Sequence, residues 1–372
     1  VIITTKKGKS GKTLINYSNY LGSQKIRKFA DLINAKDFAK LQNEVALNDN
    51  KQLPWTDQQI KDLAEGTNWQ DLVYRNALVQ NHDLNLSGGN ENTKYFTSFG
   101  YFNQNGIIRN SGFERMSFRG NIEHKLFDKL IFSTNLSIQN SKYNRAQYQS
   151  ADGGGGIPWA TMVMPPTIGV YDENGEYTKF TGVSWGETNP VGISDNWHNS
   201  SNSLRIIGSS SISYEIIDGL KFKSSIGIDH SYNKGDLYYP GNISLGQKTD
   251  PNGQPIFGVA QKSYGSTFTL VNENILEYQR NCGDHKLDAV GGLSYQWSKS
   301  DDLNSGSGIG FLSDIYLNNN ISSAIIKALP SSNWQDNRLM SFLGRTNYSF
   351  KDKYYLTLTG RYDGSSRFGA SN

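Results

Sequence analysis

The chain is dominated by strict alternation of apolar and polar positions. In 130–139 (LIFSTNLSIQ), Leu130, Phe132, Thr134, Leu136 and Ile138 share one side, and Ser133, Asn135, Ser137 and Gln139 share the other. In 204–215, Leu204, Ile206, Ile212 and Tyr214 oppose Arg205, Ser209, Ser211, Ser213 and Glu215. Phe222, Ile226 and Ile228 oppose Lys221, Lys223, Ser225 and Asp229. Leu287, Ala289, Leu293, Tyr295 and Trp297 oppose Lys286, Asp288, Ser294 and Gln296. Period two marks strands with one apolar and one polar face. It predicts strands over 12–20, 79–87, 93–103, 113–127, 130–143, 203–217, 220–234, 264–280, 285–299, 337–350 and 354–364.

Soluble sandwiches alternate too, so a soluble all-β protein that binds or cleaves glycans stays open on this signal alone. The connections separate the readings. Short polar turns fall at 88–92, 128–129, 218–219, 281–284 and 351–353, and long loops fill 21–78, 144–202, 235–263 and 300–336, with a shorter one at 104–112. Every even-to-odd connection is short and every odd-to-even one is longer. Outer-membrane barrels obey that parity, with tight periplasmic turns and long extracellular loops. The apolar faces named above carry no Lys, Arg, Asp or Glu, as lipid contact requires, since a cation at the bilayer midplane costs about 2–4 kcal/mol. Phe127, Tyr143, Phe222, Tyr232, Trp297, Phe350, Tyr354 and Tyr362 gather near strand ends, where interfacial girdles sit. The predicted fold is an all-β, antiparallel transmembrane barrel.

Three helices interrupt the first long loop. Asn34 caps a pattern with Phe38, Leu41 and Val45, and Asp37 stands at the capping-box position; Thr56 with Gln59 begins a second helix and Asn68 with Asp71 a third. These helices are expected to pack over the barrel rim. Eleven strands left open would expose two edges to hydrocarbon, where each unsatisfied backbone group costs several kcal/mol. The first strand is therefore expected to pair beyond Asn372, and the opening Val1 reads as a cut in a longer chain.

Composition agrees once the barrel is in view. The 372 residues carry 38 Gly, 21 Tyr and only 36% hydrophobic residues, too few for a packed interior but enough where alternate residues are apolar. The net charge of +3 gives no field to steer nucleic acid. The single Cys282 excludes an internal disulfide or a Cys-cluster metal site.

Several stretches resemble one family. VIITTKKGKSGK at the start is similar to the end of the plug domain and the linker of SusC/RagA-like TonB-dependent transporters. The segment 66–124 is the most specific, with Trp-Gln-Asp at 69–71, Gln-Asn-His at 80–82, Leu-x-x-Ser-Gly-Gly ending at 89 and Gly-Ile at 106–107 before the Phe-x-Arg strand; RYDGSSRFG at 361–369 resembles a mid-barrel signature. The resemblance implies the end of the plug and linker over 1–11 and the first half of the barrel over 12–372, about eleven of twenty-two strands around a plug. It implies import of an oligomeric nutrient, an oligosaccharide or, as in RagA, a peptide, across a Gram-negative outer membrane. It also implies a SusD-like lipoprotein lid, energy from the TonB complex, and a dimer of transporter–lipoprotein pairs. The TonB box falls outside this sequence, as do nearly all of the plug and the second half of the barrel.

Glycan binding needs flat aromatic faces and amide or carboxylate partners for hydroxyls. The loop 144–202 holds both, which makes Trp159, Tyr171, Trp185, Trp197, Asn144, Asp152, Asn189 and Asn196 the candidate substrate residues. The alternative is that they pack the loop onto the rim or against the lid. Gly153 to Gly156 lack the Lys-Ser/Thr of a phosphate loop, and Asn174-Gly175 predicts a type I′ turn. The five His residues are scattered, no Gly-x-Ser-x-Gly occurs, and Cys282 has no identifiable base. No cofactor, metal or catalytic residue is assigned, and the expected activity is not enzymatic.

Overall fold

A computed structural model of the chain describes residues 8–148, 156–179 and 189–369. Eleven long strands form one antiparallel meander in chain order: β1 (Gly11–Gln24), β2 (Ala77–Gly89), β3 (Thr93–Asn105), β4 (Gly112–Phe127), β5 (Leu130–Asn144), β6 (His198–Ile217), β7 (Leu220–Tyr239), β10 (Val259–Cys282), β11 (His285–Ile309), β13 (Ser331–Phe350) and β14 (Tyr354–Ser365). The short β8 (Gln247–Thr249) and β9 (Pro255–Phe257) form a separate hairpin, and β12 (Ile326–Lys327) adds to the top of β11. Each predicted strand is present, and the alternation of short turns and long loops holds. The tight turn between β6 and β7 uses Gly219 at φ +79°, where an added Cβ would meet the Gln279 carbonyl at 2.2 Å.

Register fixes which residues share a face. Leu136 stands opposite Gly120 and Gly208, Ile228 opposite Gly208 and Leu270, and Leu270 opposite Trp297, so this row lies on one side across six strands. That side carries large apolar groups in the open: Ile226 is 50% exposed, Phe342 49% and Leu358 61%. A face of exposed Ile, Leu and Phe is a lipid face. One polar seam crosses it. Ser224 donates to Asn274 Oδ1 at 2.8 Å, Asn274 to Asn272 Oδ1 at 2.8 Å, and Asn272 to the Ser225 carbonyl at 2.9 Å. The opposite, lumenal face is rich in Ser, Asn, Lys and Arg, and there Arg205 grips Asp229 through two bonds of 3.0 and 2.6 Å.

The strands run further than the apolar pattern indicates. β7 continues to Tyr239, β10 starts at Val259, β11 ends at Ile309 and β13 starts at Ser331, so parts of the predicted loops 235–263 and 300–336 are ladder. Above the membrane no lipid selects for apolar residues, but backbone pairing persists, so alternation fades before the hydrogen bonds do. Tyr143 also departs from the girdle expectation: it pairs opposite Phe113 and Ser201, on the lumenal side.

The long loops are folded. Asn34 caps α1 (Ala35–Asn48) by accepting from Asp37 N, while the Asp37 carboxylate pairs with Lys40 at 2.9 Å. Thr56 and Gln59 form a complete capping box on α2 (Asp57–Asp62), and Asn68 caps α3 (Trp69–Val73). Two further helices in the second long loop, α4 (Ile157–Val163) and α5 (Pro190–Asn196), have Pro near their starts. Trp69, Val73, Ile108, Ile157, Met164, Val191 and Ile193 form a buried extracellular core. α3 packs with α4, α5 and Ile108 of the connection between β3 and β4, while α1 packs against α2. The segment 171–177 makes a type I turn with Gly175 at φ +80°, and among these turn residues Gly175 alone has positive φ, so the predicted type I′ geometry is not adopted. Asp172 Oδ1 accepts from Asn174 N and Glu176 N, each at 2.9 Å, which holds the type I form. Asp250 repeats the device in 250–254, accepting from Asn252 N and Gln254 N.

Candidate functional site

Two adjacent rows of the lumenal face meet at the extracellular mouth. The upper row reads Gln104, Phe113, Tyr143, Ser201, Gly235, Ser263, Asn304 and Ser331 from β3 to β13. The lower row reads Phe102, Arg115, Ser141, Ser203, Asn233, Gly265, Asp302 and Asn333. The wall thus has an aromatic and cationic side, a floor of Ser and Gly, and an amide and carboxylate side. With neighbouring strands about 4.8 Å apart, the path from Tyr143 to Asn304 is roughly 19 Å.

The aromatic side is a run of rings tilted against one another. The Phe102 and Phe113 rings are 5.8 Å apart and Phe113 and Tyr143 4.5 Å. Arg115 lies over Phe102 and Arg145 over Tyr143, each 5.5 Å from the ring centre. Arg145 also borders a cavity of about 820 Å³ that reaches across the floor to Asn233, Gly265, Asp302 and Asn304. The missing side chains at Gly235 and Gly265 open this floor. A bulge shapes the far side: the register of β10 and β11 shifts between Gln261 and Ser263, and Gly306 takes φ +72°. Asn304 Oδ1 is held there by Gln261 Nε2 and by Gly306 N, both at 2.9 Å.

The predicted candidates divide. Asn144 and Trp197 come together on the wall of a second cavity of about 510 Å³, which Arg145 also borders. Trp197 stacks on Tyr239 with ring centres 4.7 Å apart, and its buried indole N–H has no partner among the described residues. Asn189 is 4% exposed, and its side chain caps α5 through Val191 N and Gly192 N and donates to the Val170 carbonyl. Asn196 donates to Tyr177 Oη and to the Gly192 carbonyl. Tyr171 is exposed and tilted against Tyr177, and Trp159 is half-buried on α4. Trp185 and Asp152 lie outside the described residues. Phe102, Phe113 and Arg115 escaped the sequence reading because they sit within strands. Their signal was there: Phe113 and Tyr143 are aromatic at positions where alternation demands the polar face.

The extracellular flap after β11 is pinned by charge. Asp236 receives Lys262 Nζ at 2.9 Å, Lys234 Nζ at 3.0 Å and Asn318 Nδ2 at 2.8 Å. Burial acts to raise the Asp236 carboxyl, yet these donors hold it below the ordinary carboxylate range. Tyr238 is buried and donates to Asp314; burial first, and that bond second, push its phenol above the ordinary value.

No family model matches the chain. It is 28% identical over 376 residues to TonB-dependent receptor P3 of Formosa agariphila, covering 100% of this chain and 36% of the relative. It is 26% identical over 407 residues to TonB-dependent receptor SusC of Bacteroides thetaiotaomicron, covering 100% of this chain and 37% of that one. The chain thus spans little more than a third of the length of these curated relatives. The solved RagAB peptide transporter superimposes with a TM-score of 0.76 at 23% identity, over 99% of this chain and 44% of that one. Sequence and fold agree with the alternating lipid face: the chain is similar to the barrel portion of SusC/RagA-like TonB-dependent receptors and shares the fold of an outer-membrane β-barrel.

Proposed function

We propose that this barrel portion belongs to a TonB-dependent importer of an oligosaccharide, working under a SusD-like surface lipoprotein and drawing energy from the TonB complex. The lumenal wall at the mouth carries the reading. It offers aromatic rings for sugar faces, a Ser/Gly floor between Tyr143 and Asn304, which lie roughly 19 Å apart, and Asp302, Asn304 and Asn333 for hydroxyls. On this reading residues 1–11 end the plug and 12–372 form the first half of the barrel. The activity is transport, without bond making or breaking in the cargo.

The test uses the full-length receptor with its lipoprotein, purified in detergent and offered oligosaccharides and peptides of matched size. Saturable oligosaccharide binding, lost when Phe113 and Tyr143 are both replaced by Ala, is the expected result. Saturable binding of peptides alone would replace this reading with a peptide importer.

A further inference from the structure

The two ends of the mouth differ in charge, and the cationic end is not neutralised by the wall. Three other arginines of the chain have acids: Arg205 has Asp229, Arg109 has Asp195 at 3.0 Å, and Arg361 has Asp363. Arg115 and Arg145 have no carboxylate partner among the described residues and instead cover ring faces. The acid sharing a row with Arg115 is Asp302, five strands away or roughly 24 Å along the wall. Glu114, the chain neighbour of Arg115, stands on the opposite face across from Lys142.

A guanidinium stacked on a ring is held in place while its N–H fork stays free for a planar or tetrahedral anion. We propose that Arg115 and Arg145, on the Phe102–Phe113–Tyr143 platform, bind an anionic group of the cargo, a carboxylate or a sulfate on an acidic oligosaccharide. This rests on the oligosaccharide reading and narrows it. The charged unit sits on the platform, and the uncharged remainder crosses the floor at Ser201, Gly235 and Ser263 toward Asp302 and Asn304. Two arginines select against neutral chains, and Asp302 keeps a second anion from the far end.

The test compares binding by the full-length receptor–lipoprotein complex of three probes of equal length: a uronate oligosaccharide, its carboxyl-reduced neutral form, and a sulfated neutral oligosaccharide. Preference for the uronate alone assigns the carboxylate; preference for the sulfated probe assigns the sulfate. The pair Arg115→Gln and Arg145→Gln should lower affinity for the preferred acid by roughly tenfold per arginine, and lower affinity for the neutral form by less, so that the preference for the acid collapses. Arg115→Lys with Arg145→Lys should recover part of it, and added salt should weaken acid binding only. Equal affinity of wild-type protein for all three probes overturns the proposal while leaving oligosaccharide import standing. Binding of peptides and of none of the three overturns both. The wild-type comparison decides the matter even if the Gln variants fail to fold.

Discussion

Trp69 donates its indole N–H to the Pro165 carbonyl at 3.0 Å, tying the first long extracellular loop to the second long one across 96 residues of sequence. The side chain is 2% exposed and centres the extracellular core. Trp69→Ala should destabilise that core by about 3–5 kcal/mol. New trypsin cuts in 25–76 and 156–179 are expected, with the heat-modifiable mobility of the full-length barrel unchanged. Loops that stay resistant would show that Trp69 does not hold them.

The same two loops touch at Gly66. Its φ is +90°, and an added Cβ would lie 2.4 Å from the Pro166 carbonyl oxygen and 2.7 Å from Ala35 Cβ. Gly66→Ala should cost more than about 1 kcal/mol from backbone strain before any clash is counted. Hydrogen exchange should accelerate at Ala35 and Thr67, whose amides bond to Glu65 and Pro166 across this contact. Unchanged exchange there would remove Gly66 from the docking argument.

Acid should release the flap held by Asp236. Its carboxyl titrates lower in the folded protein than in the unfolded chain, so its contribution is complete above the unfolded value of about 3.9. That contribution is lost as pH falls through the lower folded value. Protease resistance of 310–330 should persist at pH 5 and decline only as pH falls below about 3.9 toward the lower folded value. Asp236→Asn should loosen the flap already at pH 7. A flap whose protection falls already between pH 7 and pH 5 contradicts the mechanism.

On the lipid face, Asn274 donates to Asn272 Oδ1, and Asn272 in turn donates to the Ser225 carbonyl. Asn272→Ala removes the acceptor of the Asn274 amide and should cost about 1–3 kcal/mol, as a stranded polar group does. Replacing both by Leu removes the need for the bond and should be near neutral or stabilising. Urea unfolding of the full-length barrel in vesicles measures both. A double variant as weak as the sum of two single ones would argue against the seam.

Most of the barrel was legible because lipid imposes a rule on every second residue. Leu136, Ile228 and Leu270 obey it, and register follows from them. The helix starts were legible for a local reason, since Asn34, Thr56 and Asn68 each satisfy amides within three residues. The upper strand extensions were not, because 235–239 and 300–309 lie above the lipid, where the flap covers residues such as Tyr238 and no alternating apolar constraint applies. The platform needed three strands in register. Phe102, Phe113 and Tyr143 are far apart in sequence, and only the pairing of β3, β4 and β5 brings their rings together. Asn189 shows the reverse case, an amide attractive for hydroxyls by type but fully engaged in capping α5.

The strands that outrun the apolar pattern set the height of the mouth. β7 continues past Tyr232 to Tyr239, and β11 past Trp297 to Ile309. At about 3.3 Å per residue and a tilt near 40°, that raises the top of this wall by roughly 20–30 Å over the bilayer surface. The Debye length at physiological ionic strength is about 8 Å. A negatively charged cargo approaching this rim is therefore screened from the anionic headgroups below, and the field it meets is that of the protein.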